Sequence, residues 1–328
     1  MTESELMNPA RAPTRDGVLR AAAKVAAILP PTPLLPLEVD GRTLWCKADN
    51  LQPIGAFKIR GAWHRLSDLT PQQAAAGVVG VSSGNHAQGV AWAARRLGIA
   101  ATIVMPNDAP QAKLAATRAL GAAVVLYDRP GGEDRDAVAQ ALVAQTGRTL
   151  VHAFGDPWVI EGQGSLAIEA ADQLAAASGA AFDTAIVCCG GGGLSSGIAL
   201  ALPDAAIWAV EPEGWDDVAR SLASGTIQRV HSPPPTACDA LQTPATYPIN
   251  FAVLQARGVR AVTVSEAEVR AAMRLAFHRL HLVLEPGGAA ALAAVVAGKV
   301  PVGPNTLVTL SGGNVDAGAF AAVLTEAA

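Results

Sequence analysis

The chain has 328 residues, of which 51% are hydrophobic and 16% charged, so it can bury a large core and has the length of about two domains. Its formal net charge of −4 provides no basic field, and we expect no nucleic acid partner. The four cysteines show no CxxC pair and no Cys/His ligand spacing, which indicates neither a disulfide framework nor a zinc site. Reduced thiols in a cytoplasmic protein are the simplest interpretation.

No segment of the sequence is predicted to direct the chain to a membrane or across one. The N-terminus carries Glu3 and Glu5, where a signal peptide would carry positive charge. The apolar runs at 21–29 and 289–297 are too short to span a bilayer, and we expect the second to be a buried helix. We therefore expect no membrane partner.

The predicted elements alternate between strands and helices along most of the chain. Residues 1–30 are expected to form a loose arm and a short helix, followed by a strand at 44–47 and a helix from about Phe57 to His64. Further strands are predicted at 78–81, 102–105, 124–127, 150–151, 185–189, 207–210, 262–264 and 307–310, and helices at 87–97, 112–120, 137–145 and from the capping box Ser265-Glu266-Ala267-Glu268. Near-continuous apolar strands between helices predict an α/β fold with parallel sheets covered by helices.

A lysine lies among small and apolar residues in the stretch Gly55-Ala56-Phe57-Lys58-Ile59-Arg60-Gly61-Ala62. Poor solvation of the ammonium would lower the pKa of Lys58 and make its amine available. An available amine condenses with aldehydes, and pyridoxal phosphate (PLP) is an aldehyde. The alternative is a solvated lysine at the start of a helix, and this stretch alone leaves that alternative open.

Three loops that follow predicted strands carry unusual residues, and ligands of parallel sheets bind beyond the carboxyl ends of the strands. The first loop is Ser82-Ser83-Gly84-Asn85-His86. Hydroxyl groups, an amide and main-chain N–H groups at the start of a helix suit a carboxylate. The alternative is ordinary helix capping by Ser83 or Asn85, with His86 on the surface.

The second loop consists of four consecutive glycines, Gly190 to Gly193, between a predicted strand and Leu194-Ser195-Ser196-Gly197. A glycine backbone can surround a phosphate with N–H groups, and the N-terminus of a following helix adds positive potential. The run does not fit GxGxxG and no lysine follows as in a P-loop, so a small phosphate is favoured over a dinucleotide or a triphosphate. A flexible linker is the alternative, but a strand and a helix flank the glycines closely.

The third loop is Ser311-Gly312-Gly313-Asn314. A hydroxyl at Ser311 could bond a pyridine nitrogen and, unlike a carboxylate, would not hold that nitrogen protonated. The alternative is a turn with a satisfied serine. Together, an amine, a phosphate site, a carboxylate site and a partner for a ring nitrogen predict PLP acting on an amino acid.

The motifs also resemble those of a known family. Besides the lysine stretch and the three loops, the chain contains Glu161-Gly162-Gln163-Gly164 and Leu284-Glu285-Pro286-Gly287-Gly288, all in family order. From about residue 30 onward the chain resembles the fold-type II PLP enzymes, in particular the serine/threonine dehydratase group, which includes serine racemases and 3-hydroxyaspartate dehydratases. The resemblance implies a homodimer. It also implies two domains, each with a mostly parallel sheet flanked by helices: residues 1–78 and 155–328 as a large PLP-binding domain, and residues 79–154 as a small domain that carries the first loop.

The resemblance assigns cofactor contacts residue by residue. It implies that Lys58 binds PLP covalently and that Phe57 lies against the ring. It further implies that Asn85 bonds the ring 3-hydroxyl and that Ser311 meets the pyridine nitrogen. The phosphate is assigned to Gly190, Gly191, Gly192, Gly193 and Leu194.

Substrate and metal contacts follow from the same resemblance. The substrate carboxylate is assigned to Ser83, Gly84, Asn85 and His86, and in racemases of the group the serine matching Ser83 is an acid/base on the face opposite the lysine. Arg135 occupies the place of a racemase arginine that meets a second carboxylate, although its charged surroundings favour an exposed helix arginine.

Glu211, Trp215 and Asp217 match a divalent cation site, where two carboxylates and the Trp215 carbonyl would suit Mg²⁺ or Ca²⁺. The alternative there is a solvated acidic loop.

The implied reaction is β-elimination from a β-hydroxy amino acid such as L-serine or L-threonine, which yields a 2-oxo acid and ammonia. The substrate amine would displace Lys58 from PLP, and Lys58 would then remove the α-proton. 3-Hydroxyaspartate dehydratase and serine racemase are the alternatives among enzymes. A PLP-binding or amino-acid-sensing module is the non-enzymatic alternative, and the intact Lys58 argues against it.

Overall fold

The computed structural model describes residues 11–109 and 111–326, so residues 1–10 of the predicted arm lie outside the described residues. Along the described chain the strands are β1 (Leu34–Val39), β2 (Arg42–Ala48), β3 (Val78–Val81), β4 (Ala101–Pro106), β5 (Ala123–Tyr127), β6 (Thr149–Val151), β7 (Thr184–Cys188), β8 (Ala206–Pro212), β9 (Arg260–Val264) and β10 (Thr306–Leu310). They form two sheets, with strand orders β1-β2-β10-β7-β8-β9 and β5-β4-β3-β6. The predicted α/β fold with two mostly parallel sheets is confirmed.

Helices pack on both sheets. They are α1 (Arg15–Ala26), α2 (Lys58–Leu66), α3 (Pro71–Ala76), α4 (Asn85–Leu97), α5 (Gln111–Ala119), α6 (Arg135–Thr146), α7 (Pro157–Ser178), α8 (Gly193–Ala201), α9 (Asp217–Ser224), α10 (Pro248–Ala256), α11 (Glu266–Leu275), α12 (Pro286–Val296) and α13 (Ala317–Thr325). The predicted capping box is confirmed, since Ser265 and Glu268 each accept the other's backbone N–H at the start of α11. Within residues 11–109 and 111–326, no helix combines the length and hydropathy needed to cross a bilayer.

The larger sheet places two of the predicted loops side by side. β1 is antiparallel to β2, while β10 is parallel to both β2 and β7. Because the parallel strands β7 and β10 end at the same edge, the loops that follow Cys188 and Leu310 begin next to each other. Both strands are buried along their whole length, which explains why their sequences do not alternate between an apolar and a polar face.

The smaller sheet is parallel throughout and carries the first predicted loop after β3. Its strands lie between Val78 and Val151, and the strands of the larger sheet lie outside that range. The domain boundaries near residues 78 and 155 stay a prediction.

Several elements were not predicted from the sequence, among them β1 and α7. β1 contains Pro36, which a strand accepts at a sheet edge because the missing N–H is not needed there. α7 is 22 residues long and contains Gly162 and Gly164, which lower helix propensity. Asp156 caps α7 by accepting the backbone N–H groups of Trp158 and Val159.

The glycines of α7 allow unusually close helix packing. A Cβ atom on Gly162 would lie 2.5 Å from the Cα atom of Gly61 in α2. A Cβ atom on Gly197 in α8 would lie 2.6 Å from the backbone nitrogen of Gly164. We call these four glycines the glycine seam. Through it, α7 contacts both the helix that begins at Lys58 and the helix that follows the four-glycine loop.

Candidate active site

Backbone pairing holds the lysine stretch against the third loop. The N–H of Phe57 donates to the carbonyl of Ser311 at 3.0 Å, and the N–H of Gly313 donates to the carbonyl of Gly55 at 2.9 Å. Gly55 has a φ of 71°, a conformation that favours glycine. The pairing brings Lys58 and Ser311 into the lining of one cavity.

Lys58 borders a cavity of about 190 Å³ that residues of all three predicted loops also line. Its Nζ atom donates a hydrogen bond to the carbonyl of Ala153 at 2.8 Å and lies 5.1 Å from the centre of the Phe57 ring. Burial lowers the pKa of the Lys58 ammonium to about 8, against the opposing influence of Cys188 and Glu285. Lys58 is therefore not a solvated surface lysine, and its partial exposure is to the cavity.

The four-glycine loop forms a second wall of the cavity. It connects β7 to α8, and Gly192 has a φ of 89°. A Cβ atom on Gly191 would lie 2.4 Å from the ring of Phe154, so this close approach of backbone to ring requires glycine. Gly190 to Gly193 and Leu194 all line the cavity, so it is bordered by the first turn of α8, whose N–H groups have no partner within the helix. The flexible-linker interpretation is wrong.

Phe154 is held by an aromatic cluster that sequence reasoning did not find. Its ring centre lies 4.5 Å from that of His152 and 5.0 Å from that of Tyr247. Burial lowers the pKa of His152 to about 3, so the imidazole is neutral and its Nδ1 atom accepts the N–H of Gly155 at 2.8 Å. The cluster depends on contacts between distant segments, which no local motif signals.

The first loop lies at the start of α4. The cap residue of α4 is Gly84, without a side-chain hydrogen bond, so the capping interpretation of Ser83 and Asn85 is wrong. Ser83, Gly84, Asn85 and His86 line the same cavity as Lys58. The His86 side chain bonds the carbonyl of Val151 at 2.8 Å, and burial lowers its pKa to about 3. His86 is thus buried and neutral, and its Nε2 atom donates to the Val151 carbonyl.

Ser311 faces the cavity from the end of β10 and has a sulfur neighbour. The thiol of Cys188 donates to Ser311 Oγ at 3.1 Å. Burial raises the pKa of Cys188, although the hydrogen bond with Ser311 opposes that shift, so the thiol keeps its proton. Because Ser311 Oγ accepts from Cys188, its own hydrogen is free to be donated into the cavity. No role was predicted for Cys188.

The entrance to the cavity carries opposite charges from two elements. Lys113 Nζ in α5 lies 2.7 Å from Asp239 Oδ2, and both side chains line the cavity. Arg135 is the first residue of α6, and its side chain is 48% exposed, as its charged surroundings predicted. It nonetheless borders both this cavity and a neighbouring one of about 330 Å³, which Ser83 and Lys113 also line.

The predicted cation ligands lie outside this cavity. Glu211 and Asp217 are fully buried, so the solvated-loop interpretation is wrong for both. The carboxylate of Glu211 accepts the N–H groups of Val218 and Ala219, whereas both carboxylate oxygens of Asp217 lack a partner in hydrogen-bond geometry. Across the described ranges, no group of three or more His, Cys, Asp or Glu side chains is arranged to hold a metal ion. The buried, unpaired oxygens of Asp217 are of the kind that Mg²⁺ or Ca²⁺ binds, whereas both oxygens of Glu211 already accept backbone N–H groups.

The cavity fits PLP in its donor chemistry. It combines a lysine amine of lowered pKa, a glycine backbone without side chains at the start of a helix, and a serine with a free hydroxyl hydrogen. An amine, a phosphate site and a partner for a ring nitrogen are what PLP requires of a protein.

Comparison with known proteins also indicates a PLP enzyme. The family model described as pyridoxal-phosphate dependent enzyme matches residues 25–312. The chain is 40% identical over 316 residues to L-threo-3-hydroxyaspartate ammonia-lyase of a Pseudomonas species, which covers 94% of this chain and 97% of that protein. It is 36% identical over 323 residues to serine racemase of Schizosaccharomyces pombe, with 96% and 98% covered. The crystal structure of T.th. threonine deaminase has a TM-score of 0.85 at 40% identity, with 93% of this chain and 99% of that chain covered.

The chain therefore belongs to the pyridoxal-phosphate dependent enzymes. Within them its fold is fold-type II, and its relatives are those of the serine/threonine dehydratase group that its motifs resemble. The resemblance stated from the sequence is confirmed.

Proposed function

We propose that the protein catalyses PLP-dependent β-elimination of a β-hydroxy amino acid such as L-serine or L-threonine, with release of a 2-oxo acid and ammonia. The observation that carries the proposal is the amine of Lys58, whose pKa burial lowers to about 8, in a cavity shared with Ser83 and the four-glycine loop. The names of the similar ammonia-lyase and threonine deaminase support the same reaction class.

The chain's own residues would hold the cofactor at four points. The N–H groups of Gly190 to Gly193 and Leu194 would hold the phosphate. Lys58 would form the covalent link, and Phe57 would pack against the ring. Asn85 would bond the ring 3-oxygen, and Ser311 would donate its free hydrogen to the pyridine nitrogen. When bound, PLP supplies an electron sink that stabilises negative charge at the substrate α-carbon.

Lys58 would act as the base in the elimination. A lysine with a pKa of about 8 is partly neutral near pH 7, so it can accept the α-proton once the substrate has taken its place on the cofactor. The first loop would bind the substrate carboxylate through the Ser83 hydroxyl and the main-chain N–H groups at the start of α4, including that of Asn85. The His86 side chain would support this loop through Val151 rather than bind the substrate itself.

An assay of ammonia and 2-oxo acid over L-serine, L-threonine and 3-hydroxyaspartate tests the proposal. Lys58→Ala should abolish turnover, and borohydride reduction of the wild-type protein with PLP should label a peptide containing Lys58. Lys24→Ala is the control, because that lysine lies on the surface beside Asp68. Labelling of Lys58 without ammonia from any of these substrates would favour a PLP-binding or sensing module.

A 3-hydroxyaspartate ammonia-lyase is the second candidate, favoured by two cations near the first loop. Lys113 and Arg135 line the cavity together with Ser83, where a second substrate carboxylate could meet them. Arg135→Ala should then lower kcat/KM for 3-hydroxyaspartate more than for L-serine. Arg95→Ala, which removes an arginine bonded to the carbonyl of Ala119, is the matched control.

Serine racemase activity would depend on Ser83 as acid/base on the face opposite Lys58. Ser83→Ala should abolish racemisation of L-serine and spare its elimination. Loss of both activities to the same extent would contradict that assignment and would indicate carboxylate binding instead.

Three further features are proposed on the resemblance: a bound Mg²⁺ or Ca²⁺ at Glu211, Trp215 and Asp217, a homodimer, and a cytoplasmic location. The unpaired, buried oxygens of Asp217 support the cation. Light scattering on the purified protein would test the homodimer.

A further inference from the structure

Two residues to which the sequence assigned no role hold the Asn85 side chain in one orientation. Asn85 Nδ2 donates to Glu285 Oε1 at 2.6 Å, and Asn314 Nδ2 donates to Asn85 Oδ1 at 2.7 Å. The three residues come from the first loop, the start of α12 and the third loop. Glu285 is 4% exposed and lines the Lys58 cavity, as Asn85 does.

The contact between Asn314 and Ile54 fixes the direction of these hydrogen bonds. Asn314 Nδ2 also donates to the carbonyl of Ile54 at 2.8 Å, and a carbonyl can only accept. The amide nitrogen of Asn314 must therefore face both Ile54 and Asn85, so the Asn85 atom that receives its second hydrogen is the oxygen. Asn85 then directs its nitrogen toward Glu285.

Two glycines make room for this arrangement. A Cβ atom on Gly55 would lie 2.4 Å from Asn314 Oδ1, and a Cβ atom on Gly312 would lie 2.1 Å from Glu285 Oε1. The backbone N–H of Glu285 also donates to the carbonyl of Gly312 at 3.0 Å. The motif glycines beside Lys58 and Ser311 thus admit the two side chains that flank Asn85.

Asn85 keeps an amide hydrogen that it can donate into the cavity. Its oxygen accepts from Asn314, and its nitrogen donates one of two hydrogens to Glu285, so the second amide hydrogen remains. This hydrogen favours an acceptor, and it favours an oxyanion over a hydroxyl group.

We propose that Glu285 and Asn314 are positioning residues that fix Asn85 as a hydrogen-bond donor to the ring 3-oxygen of PLP and keep that oxygen deprotonated. The inference rests on the proposed function, since it takes PLP to be bound to Lys58. Neither residue needs to touch the substrate, because each acts through the Asn85 amide.

The test uses the full-length protein loaded with PLP. The lysine-bound cofactor absorbs at longer wavelength when its ring 3-oxygen is deprotonated than when that oxygen carries the proton, and PLP affinity is read separately by fluorescence titration. Glu285→Ala and the isosteric Asn314→Asp should each weaken PLP binding about fivefold, the effect of one lost hydrogen bond, and should shift absorbance to the short-wavelength band. Glu285→Gln, which keeps an oxygen facing Asn85, should retain the wild-type band ratio.

Asn107→Asp is the matched control, because it makes the same change outside the cavity, where Asn107 bonds Asp128. If Glu285→Ala does not fold, Asn314→Asp decides, since it preserves size. Wild-type affinity and band ratio in Asn314→Asp, with Lys58 labelled by borohydride, would overturn the positioning role alone. Absence of the Lys58 label in the wild-type protein would overturn the proposed function and this inference with it.

Discussion

The amine of Lys58 donates a hydrogen bond to the backbone carbonyl of Ala153 at 2.8 Å, between residues 95 positions apart in the chain. Ala153 follows β6 of the smaller sheet, whereas Lys58 begins a helix that packs against α7. The amine is thus held at the junction of the two sheets and directed into the cavity between them. This bond must break when the amine reacts, so it holds the nucleophile in place without blocking it.

Capture of PLP by the cofactor-free protein should become faster as the pH rises and should level off above about pH 8. Only the neutral amine attacks an aldehyde, and burial lowers the pKa of Lys58 from 10.5 to about 8. At pH 7 about one tenth of Lys58 would be neutral, against less than about one thousandth of an ordinary lysine. The growth of cofactor absorbance after mixing measures the rate. A rate that keeps rising to pH 10 would show a normally solvated lysine.

Gly191→Ala should weaken PLP binding by about tenfold. The added Cβ atom would lie 2.4 Å from the ring of Phe154, and relief of such an overlap typically costs about 1–3 kcal/mol. Phe154→Ala in the same chain should restore part of the affinity, because it removes the ring. Fluorescence titration of PLP into the two single variants and the double variant gives the comparison. Equal affinity of Gly191→Ala with and without Phe154 would show that the overlap is not the cause.

Arg60→Met should destabilise the protein by about 3–5 kcal/mol, because it removes the charged partner of the buried Asp49 carboxylate, which keeps the Thr32 hydroxyl. The side chains of Arg60 and Asp49 are both fully buried, and Arg60 donates to the two carboxylate oxygens of Asp49 at 2.6 and 2.9 Å. Arg220→Met is the matched control. It breaks an exposed pair with Asp216 and should cost at most about 1 kcal/mol. Urea unfolding of both variants provides the free energies, and similar losses would mean that burial of the Arg60 pair is unimportant.

Addition of Mg²⁺ or Ca²⁺ should raise the Tm of the protein, and Asp217→Asn should remove that increase. A cation at about 100 times its Kd stabilises the folded state by about 2.7 kcal/mol. In the absence of a cation, Asp217→Asn should be neutral or stabilising, because burial raises the pKa of Asp217 to about 7 and disfavours its charge. Glu213→Gln is the control, since Glu213 lies on the same loop with its side chain 58% exposed. A Tm that is independent of cation and EDTA in the wild-type protein would contradict the site.

The parallel strands could be predicted because strands buried on both faces are apolar throughout, and β3 was predicted with the bounds that the structure shows. The bounds of β2 and the presence of α7 were harder to predict, for different reasons. β2 extends beyond its apolar segment through pairing with both β1 and β10. α7 forms in spite of its glycines because they lie against other helices.

Much of the candidate site could also be predicted, because the residues of each loop are contiguous in sequence. The residues that orient them could not. Glu285 and Asn314 were visible only as members of motifs, since their hydrogen bonds to Asn85 exist only after three distant segments have packed. His86 was expected to help bind the substrate carboxylate, and the hydrogen bond of its side chain to the Val151 carbonyl depends on where β6 pairs with β3.

The glycine seam sets the distance between the two ends of the proposed cofactor site. α7 lies against the lysine helix at Gly61 and against the helix after the four-glycine loop at Gly197, and backbone meets backbone at both contacts. An alanine at either contact would push one of these helices outward and lengthen the span from amine to phosphate site. Selectivity for an aldehyde as long as PLP would then depend on the absence of side chains at the four glycines of the seam. Variant libraries meant to change the substrate should therefore leave these glycines unaltered.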